Sequence, residues 1–220
     1  MAMSERELKE LADPKYWDER YIKEREKNGE DSEATLESFE WFRDFQKLRP
    51  FFETNLPSPQ SECHILHLGC GNSTLTADLH ALGYTNQTSV DFSHVVIDAM
   101  KIKYSDLDTR WKFMDVRDLQ LPDASVDVAI DKGTLDAMIH GSLWDPPEDV
   151  RENVGKYVQE VGRVLKPGGV WLYITYRQPH FMKIHLEQEA LWNLEVRVLE
   201  DPDGAGGFEY FSFVMQKRID

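Results

Sequence analysis

The chain has 220 residues, of which 41% are hydrophobic and 30% are charged, and its formal net charge is −15. This size and composition predict one domain with a full hydrophobic core, and they argue against a nucleic-acid-binding protein, which normally carries a basic surface. The acidic balance suits a cationic partner, although it serves solubility equally well.

Cysteine content and hydropathy indicate the compartment. Cys63 and Cys70 are the only cysteines and make no disulfide framework, which fits a reducing environment. Residues 1–7 contain no apolar segment of a secretory signal, and no apolar run approaches membrane-spanning length. We therefore expect a soluble cytoplasmic protein that does not enter a membrane.

The first 55 residues predict a helical N-terminal cap. Residues 4–12 favour a short helix, and Asp13 is placed to cap a second helix with Pro14 at its first position. A third helix is expected from near Ser38 to about Pro50.

Aromatic residues recur along these helices. Trp17 and Tyr21 are four positions apart and so share a face of the second helix, and Trp41 falls in the third. Two interpretations stay open: the rings form the core of the cap, or they wall a pocket for a cation, which aromatic faces attract.

Strands and helices alternate from residue 63 onward. The predicted strands are 64–68, 88–91, 110–114, 126–130, 170–175, 195–199 and 208–215. The predicted helices between them are 73–82, 93–103, 147–165 and 179–190. This alternation indicates an α/β fold with a doubly wound, mostly parallel seven-stranded sheet. The last two strands, joined by a glycine-rich loop at 201–207, add an antiparallel hairpin.

The first strand of this sheet runs into a glycine turn. Gly69 and Gly71 follow the apolar run 64–68, and a helical pattern begins at Asn72 or Ser73. Glycine permits a tight turn and lets a ligand approach bare backbone, and the helix N-terminus attracts an anion. This Gly-x-Gly spacing alone is weak support for a nucleotide site.

Acidic residues end three consecutive predicted strands. Asp91, Asp115 and Asp131 are expected at one sheet edge, and Asp91 lies 20 residues past Gly71, a spacing suited to the hydroxyls of a ribose. Uncompensated carboxylates in a row would favour a cationic, hydroxyl-rich ligand over a phosphate. Thr74 stands where a dinucleotide motif has its third glycine. S-adenosylmethionine, a nucleoside with a sulfonium centre, fits this pattern.

These motifs carry a family resemblance. They are Leu68–Ser73, Val90–Ser93, Met114–Val116 and the more specific Asp131–Ala137. Together they resemble the seven-stranded S-adenosylmethionine-dependent methyltransferases. Within that group the chain is similar to the lysine methyltransferases that act on translation elongation factor one-alpha, the branch that includes the methyltransferase domain linked to endothelin-converting enzyme two. The cap segments Tyr16–Tyr21 and Glu40–Phe42 and the last strand Tyr210–Met215 share the likeness, whereas His67 replaces the acid that many methyltransferases have there.

The resemblance implies a set of cofactor-binding residues. They are Trp17, Tyr21, Trp41, Gly69, Cys70, Gly71, Asp91, Phe92, Asp115, Val116, Asp131 and Lys132. In that set Asp91 takes the ribose hydroxyls and Phe92 packs on the adenine. Asp115 accepts from the adenine amine, and the Val116 amide faces the ring. Lys132 would lie at the methionine end, although it could equally form a structural ion pair with a neighbouring aspartate.

Methyl transfer is an in-line displacement at carbon, so positioning supplies most of the catalysis. The attacking lysine amine must be neutral, and desolvation lowers its pKa from about 10.4. We assign no general base; Asp131, Asp136 and Tyr176 are candidates to orient the amine. We expect no metal, because His64 and His67 point to opposite faces of one strand.

The resulting prediction is one methyltransferase domain over 1–220, with the cap at 1–55 and an S-adenosylmethionine-binding core at 60–220. Its expected activity is methylation of a lysine on a basic protein, elongation factor one-alpha being implied by the resemblance. The expected state is a cytoplasmic monomer without nucleic-acid or membrane partners. A small-molecule methyltransferase and a non-catalytic S-adenosylmethionine-binding module are the alternatives.

Overall fold

The computed structural model describes residues 4–27, 36–59, 62–200 and 209–219. Its seven strands are β1 (Ile65–Leu68), β2 (Gln87–Asp91), β3 (Thr109–Phe113), β4 (Val126–Lys132), β5 (Leu165–Thr175), β6 (Trp192–Leu199) and β7 (Tyr210–Lys217). Its helices are α1 (Glu5–Glu10), α2 (Pro14–Lys27), α3 (Phe45–Asn55), α4 (Leu75–Ala81), α5 (His94–Lys103), α6 (Thr134–Met138), α7 (Glu148–Val164) and α8 (Pro179–Leu186). The predicted α/β class is confirmed.

The strands form one sheet in the order β3-β2-β1-β4-β5-β7-β6. β1 to β5 pair in parallel, and β7 is antiparallel to both β5 and β6, as the hairpin prediction requires. The strand order reverses at β1, where Leu68 pairs with Val90 on one side and Asp131 on the other. Such a reversal opens a crevice at the carboxyl ends of the strands, and this is where open α/β sheets bind ligands.

Two hydrophobic cores lie on opposite faces of the sheet. Trp171 and Tyr173 of β5 point toward α7, whereas Leu172 and Ile174 point toward α3 and α4, because side chains alternate along a strand. A third cluster joins α2 to α5. The N-terminal cap is therefore attached to the sheet through α5, above the carboxyl edge of β2.

The structure corrects the third predicted helix. α3 begins at Phe45, where Asp44 accepts a hydrogen bond from the Lys47 amide, and Pro50 lies inside the helix rather than at its end. Residues 36–44 form no helix, and Phe42 adopts a positive φ of 67°. The aromatic spacing in that segment serves contacts with other elements, not a helical face.

The start of β5 also differs from the prediction. β5 begins at Leu165, immediately after α7, because residues 165–170 bulge while pairing with β4. A Cβ on Gly169 would lie 2.9 Å from the Lys166 carbonyl, so this glycine permits the bulge. The short helix α6 was not predicted.

The loop predicted at 201–207 lies outside the described residues. Across the described ranges, no helix combines the length and apolar character that spanning a membrane requires.

Candidate active site

A cavity opens at the carboxyl ends of β1, β2, β4 and β5, beneath the N-terminal cap. Most of the predicted site residues line it: Trp17, Tyr21, Trp41, Gly69, Cys70, Gly71, Asp91, Phe92, Val116, Lys132, Asp136 and Tyr176. Asp115 and Asp131 do not line this cavity. The sheet topology thus brings together residues that the sequence separates by more than a hundred positions.

The glycine turn forms the floor. Gly69 and Gly71 have φ angles of +64° and +51°, a region that favours glycine. A Cβ on Gly69 would overlap the hydroxyl of Thr134 and lie 2.7 Å from its Cγ2. Thr134 is fixed in turn, because its hydroxyl donates to the Leu68 carbonyl at 2.7 Å. The turn therefore needs glycine for contact between β1 and α6 as well as for access by a ligand.

The helix after this turn does not offer the free N-terminus that the sequence predicted. α4 begins only at Leu75. The preceding Thr74 amide donates to Glu40 Oε1 at 2.6 Å, and the Ser73 hydroxyl donates to the same carboxylate at 2.8 Å. An internal anion therefore occupies the position that a ligand carboxylate was expected to take.

Glu40 also binds Lys132, and these two side chains form a largely buried ion pair at the cavity. Lys132 Nζ lies 2.7 Å from Glu40 Oε2 and donates to the Trp41 carbonyl at 2.9 Å, with only 6% of its side chain exposed. Burial lowers the pKa of Lys132, and Glu40 opposes that shift. The partner of Lys132 is thus Glu40, not Asp131 or Asp136. The prediction missed Glu40, although it lies in the quoted Glu40–Phe42 motif.

Asp91 is the buried carboxylate that faces the cavity. Its oxygens accept hydrogen bonds from the amides of Gly71 and Ser93, each at 2.9 Å. Burial raises the pKa of Asp91 to about 6 despite these two bonds. Its two oxygens retain free lone pairs, so the carboxylate can accept further hydrogen bonds from hydroxyl groups in the cavity.

The other two strand-ending acids have partners within the protein. Asp115 binds Arg117 Nη2 at 2.6 Å; burial raises the pKa of Asp115, but the guanidinium outweighs burial and lowers it overall. Asp131 is fully buried, where it accepts from Tyr157 Oη at 2.8 Å and from the amides of the α6 N-terminus. Burial raises the pKa of Asp131 to about 7. The expected row of uncompensated carboxylates is therefore wrong, because only Asp91 among these three acids lines the cavity.

Asp136 and Arg177 form the wall at the β5 side. Asp136 accepts from Tyr173 Oη at 2.7 Å and Thr175 Oγ1 at 2.6 Å, and Arg177 Nε lies 3.3 Å from its Oδ1. Burial raises the pKa of Asp136. Tyr176 is more exposed and packs on Phe42 at 5.4 Å between ring centroids. Arg177 was missed, because nothing near it in the sequence marks it as buried.

The aromatic rings of the cap close the cavity from above. Trp17 lies 5.9 Å from Trp41 and 6.0 Å from Tyr21 between ring centroids, and its indole NH donates to the Leu11 carbonyl. Trp17 and Tyr21 are buried in the α2–α5 cluster and also line the cavity. The rings are therefore core residues that also form a wall of the cavity, and a cation as the occupant of that cavity stays a prediction.

The two histidines of the first strand have protein partners. His64 contacts Ser125 and Thr88, and His67 lies 2.6 Å from Gln87 Oε1. Burial lowers the pKa of His67 to about 4, so it is neutral. In the part of the chain that the structure describes, no three His, Cys, Asp or Glu side chains are placed to hold a metal ion.

Comparison with known proteins places the chain in a family. Residues 66–173 match the model of the methyltransferase domain family. EEF1A lysine methyltransferase 4 of Mus musculus is 38% identical over 206 residues, covering 92% of this chain and 74% of the relative. The eEF1A lysine and N-terminal methyltransferase of Homo sapiens is 33% identical over 95% of this chain, which spans 29% of that protein.

Solved structures support the fold independently. The 1,6-didemethyltoxoflavin-N1-methyltransferase of Burkholderia thailandensis, solved with S-adenosylhomocysteine, aligns with a TM-score of 0.59 at 14% identity, over 99% of this chain and 92% of that one. At that identity the likeness concerns the fold, whereas the sequence match to the mouse protein concerns the family. The chain therefore belongs to the S-adenosylmethionine-dependent methyltransferases, in the family that includes EEF1A lysine methyltransferase 4.

Proposed function

We propose that this enzyme transfers a methyl group from S-adenosylmethionine to a lysine of translation elongation factor eEF1A. The observation that carries the proposal is that one continuous cavity runs from Asp91 and the glycine turn to Asp136 and Arg177. The printed names of the relatives supply the acceptor, since they describe lysine methyltransferases of eEF1A. The net charge of −15 suits a basic protein acceptor.

The residues near β1 and β2 suit the cofactor. Asp91 would accept from the two ribose hydroxyls, and Phe92 and Val116 would contact the adenine. Trp17 and Trp41 line the same cavity and would contact the sulfonium cation there. The Arg20 guanidinium already lies 5.3 Å and 5.5 Å from the centroids of these two rings, so the pair accepts a cation. Bound here, S-adenosylmethionine supplies an electrophilic methyl group. Asp115 lies outside the cavity wall, so contact with the adenine amine would require a change in its pairing with Arg117.

The residues near β4 and β5 suit the acceptor amine. A lysine must lose its proton before it attacks, and transfer from water into this largely apolar cavity favours the neutral form. The buried guanidinium of Arg177 opposes a second positive charge in the same place. Tyr176 lies at the cavity wall and would orient the acceptor amine. Asp131 does not reach the cavity, so it would act indirectly, by holding the start of α6 through the Thr134 amide.

Cofactor affinity should depend on the ionisation of Asp91. With a pKa of about 6, the carboxylate is ionised at pH 7 and largely protonated at pH 5, and protonation removes an acceptor needed by the ribose. We therefore expect the dissociation constant for S-adenosylhomocysteine, measured by calorimetry, to rise about tenfold from pH 7 to pH 5. The Asp91→Asn variant should bind weakly at both pH values, with a flat profile. A flat profile in the unmodified enzyme would contradict this role.

The proposed activity is tested by methyl transfer to a defined protein. Purified enzyme is incubated with methyl-tritiated S-adenosylmethionine and recombinant unmethylated eEF1A, and the labelled peptide is located by mass spectrometry. We expect label on a lysine of eEF1A, and none when the Asp91→Asn variant replaces the enzyme. Label confined to small molecules in a cell extract would instead favour a small-molecule methyltransferase. Cofactor binding without transfer to any acceptor would favour a non-catalytic module.

The same proposal includes the state of the molecule. We propose a cytoplasmic monomer in which the cap (1–55) and the core (60–220) act as one methyltransferase domain, without nucleic-acid or membrane partners. The packing of α2 on α5 supports the domain proposal, because cap and core share one hydrophobic cluster. Size-exclusion chromatography with light scattering tests the monomer directly.

A further inference from the structure

An exposed aromatic cluster lies outside the cavity. We call it the Trp144 platform; it consists of Trp144, His180, Phe181 and Ile184. Trp144 is 79% exposed and Ile184 is 56% exposed. The Trp144 ring lies 4.9 Å from Phe181 and 5.5 Å from His180 between ring centroids, so the indole packs against α8 although most of it is exposed. A large apolar side chain held in place at the surface is typical of an interface.

The platform adjoins the acceptor half of the cavity. Trp144 lies on the connection that leaves α6, whose Met138 lines the cavity. His180 and Phe181 are in the first turn of α8, directly after the cavity residue Arg177. Both connections start at the carboxyl edge of the sheet, beside β4 and β5. A protein that inserts a lysine between Tyr176 and Asp136 would therefore extend over this face.

The charge around the platform is negative. Residues 144–152 and 179–189 contain the exposed carboxylates Asp145, Glu148, Asp149, Glu152, Glu187 and Glu189. Three of these carboxylates, Asp145, Asp149 and Glu152, are paired with Arg151, Lys9 and Lys156. The other three form no salt bridge with the described residues, and Lys183 is the one further cation in the two segments. The surface therefore combines an aromatic face with an excess of anions, and both attract a basic side chain.

We infer that the Trp144 platform binds a basic segment of the acceptor protein next to the lysine that is methylated. This inference rests on the proposed protein acceptor. Charge selects this occupant over two others: a second copy of a chain with a net charge of −15 would be repelled, and so would an anionic membrane. An arginine or lysine of the acceptor stacks on the Trp144 indole, and the surrounding carboxylates steer the encounter.

Truncation of Trp144 tests the contact. For the Trp144→Ala variant we expect kcat/KM toward a protein acceptor to fall about tenfold, through KM, because buried tryptophans carry a large share of interface binding energy. The dissociation constant for S-adenosylhomocysteine and the melting temperature should stay unchanged, since the ring is exposed. Ile219→Ala is the matched control: Ile219 is 78% exposed but lies at the C-terminal end, and its truncation should alter nothing.

Charge reversal tests the choice of partner. Glu187→Lys, at the end of α8, should raise KM two- to fivefold and weaken the dependence of KM on salt. The control Glu62→Lys reverses an equally exposed charge just before β1, at the opposite edge of the sheet, and should leave KM unchanged.

The outcomes separate this inference from the proposed function. The variants are assayed with eEF1A and with total extract protein. If another protein is labelled instead of eEF1A, the proposed acceptor is wrong, and the platform is judged by the loss of labelling on that protein. If Trp144→Ala labels every protein acceptor with the KM of the unmodified enzyme, the platform inference is overturned while the function stands. Transfer to small molecules alone overturns both.

Discussion

Replacing Gly69 with alanine is expected to abolish cofactor binding and to lower the free energy of unfolding by on the order of 3 kcal/mol. The backbone contributes to this loss, because a φ of +64° is unfavourable for any residue with a Cβ. Steric overlap adds the rest, since the new methyl group would collide with Thr134, which is held by the Leu68 carbonyl. Chemical denaturation and calorimetry with S-adenosylhomocysteine measure the two effects.

The chain offers a matched control for this substitution. Gly155 lies in the interior of α7, and a Cβ built on it meets nothing within 4 Å. Gly155→Ala should therefore stabilise the protein by about 0.5–1 kcal/mol through helix propensity and leave binding unchanged. Adding Thr134→Ala to Gly69→Ala removes the overlapping hydroxyl and Cγ2 and should restore part of the stability. A Gly69→Ala enzyme that melts and binds like the unmodified protein would refute the steric argument.

Replacing Asp131 with alanine should cost about 3 kcal/mol or more of stability and eliminate turnover. The substitution leaves three buried donors without an acceptor: the Tyr157 hydroxyl and the amides of Thr134 and Leu135. These donors fix the start of α6, and with it Lys132 and Asp136 at the cavity. The loss of activity would thus come from a displaced loop rather than from loss of a group that touches the acceptor. Denaturant titration and the tritium assay report both effects.

The pH dependence identifies the contribution of the Asp131 carboxyl. Burial raises its pKa in the folded protein to about 7 from an ordinary value near 3.8, so the folded state binds the proton more tightly. Its contribution to stability is therefore fully present below pH 4 and declines as the pH rises toward 7. Asp131→Asn lacks this titration, so its deficit relative to the unmodified protein should shrink between pH 5 and pH 8. A deficit that stays constant over this range would mean that the carboxyl is ionised throughout in the folded protein and would contradict the raised pKa.

Much of the fold could be predicted from local patterns. Apolar runs alternating with helical stretches predict the sheet, and the position of Asp91 at the end of β2 follows from the glycine turn and the parallel topology. These features depend on the periodicity of neighbouring residues. The same reliance on spacing explains the wrong helix predicted over segment 36–44: its aromatic residues have helical spacing, yet they contact α2, Gly133 and β7 instead of forming one face.

The roles of individual carboxylates could not be predicted from local patterns. Asp91, Asp115 and Asp131 all lie at or just past the carboxyl end of a strand, but their environments are set by partners elsewhere in the chain. Tyr157, on the distant helix α7, holds Asp131 below the cavity, whereas Arg117 withdraws Asp115 from it. The partly buried position of the Glu40 carboxylate likewise depends on its ion pair with Lys132, which is far away in the sequence. Contacts of this kind become visible only once the sheet has brought the segments together.

Two parts of the cap, α1 and segment 36–44, are attached to the core with unequal strength, and we expect this difference to affect how molecules enter and leave the cavity. Segment 36–44 is anchored by the ion pair between Glu40 and Lys132. Moving this segment would leave the buried Lys132 ammonium group without its counter-ion, a change that typically costs several kcal/mol. α1 buries none of its own residues, and its ion pairs, such as Lys9 with Asp149, are exposed and weak. Leu8 and Leu11 nevertheless cover one side of the cavity. We therefore expect α1 to move more readily than the segment around Glu40 when molecules enter and leave the cavity.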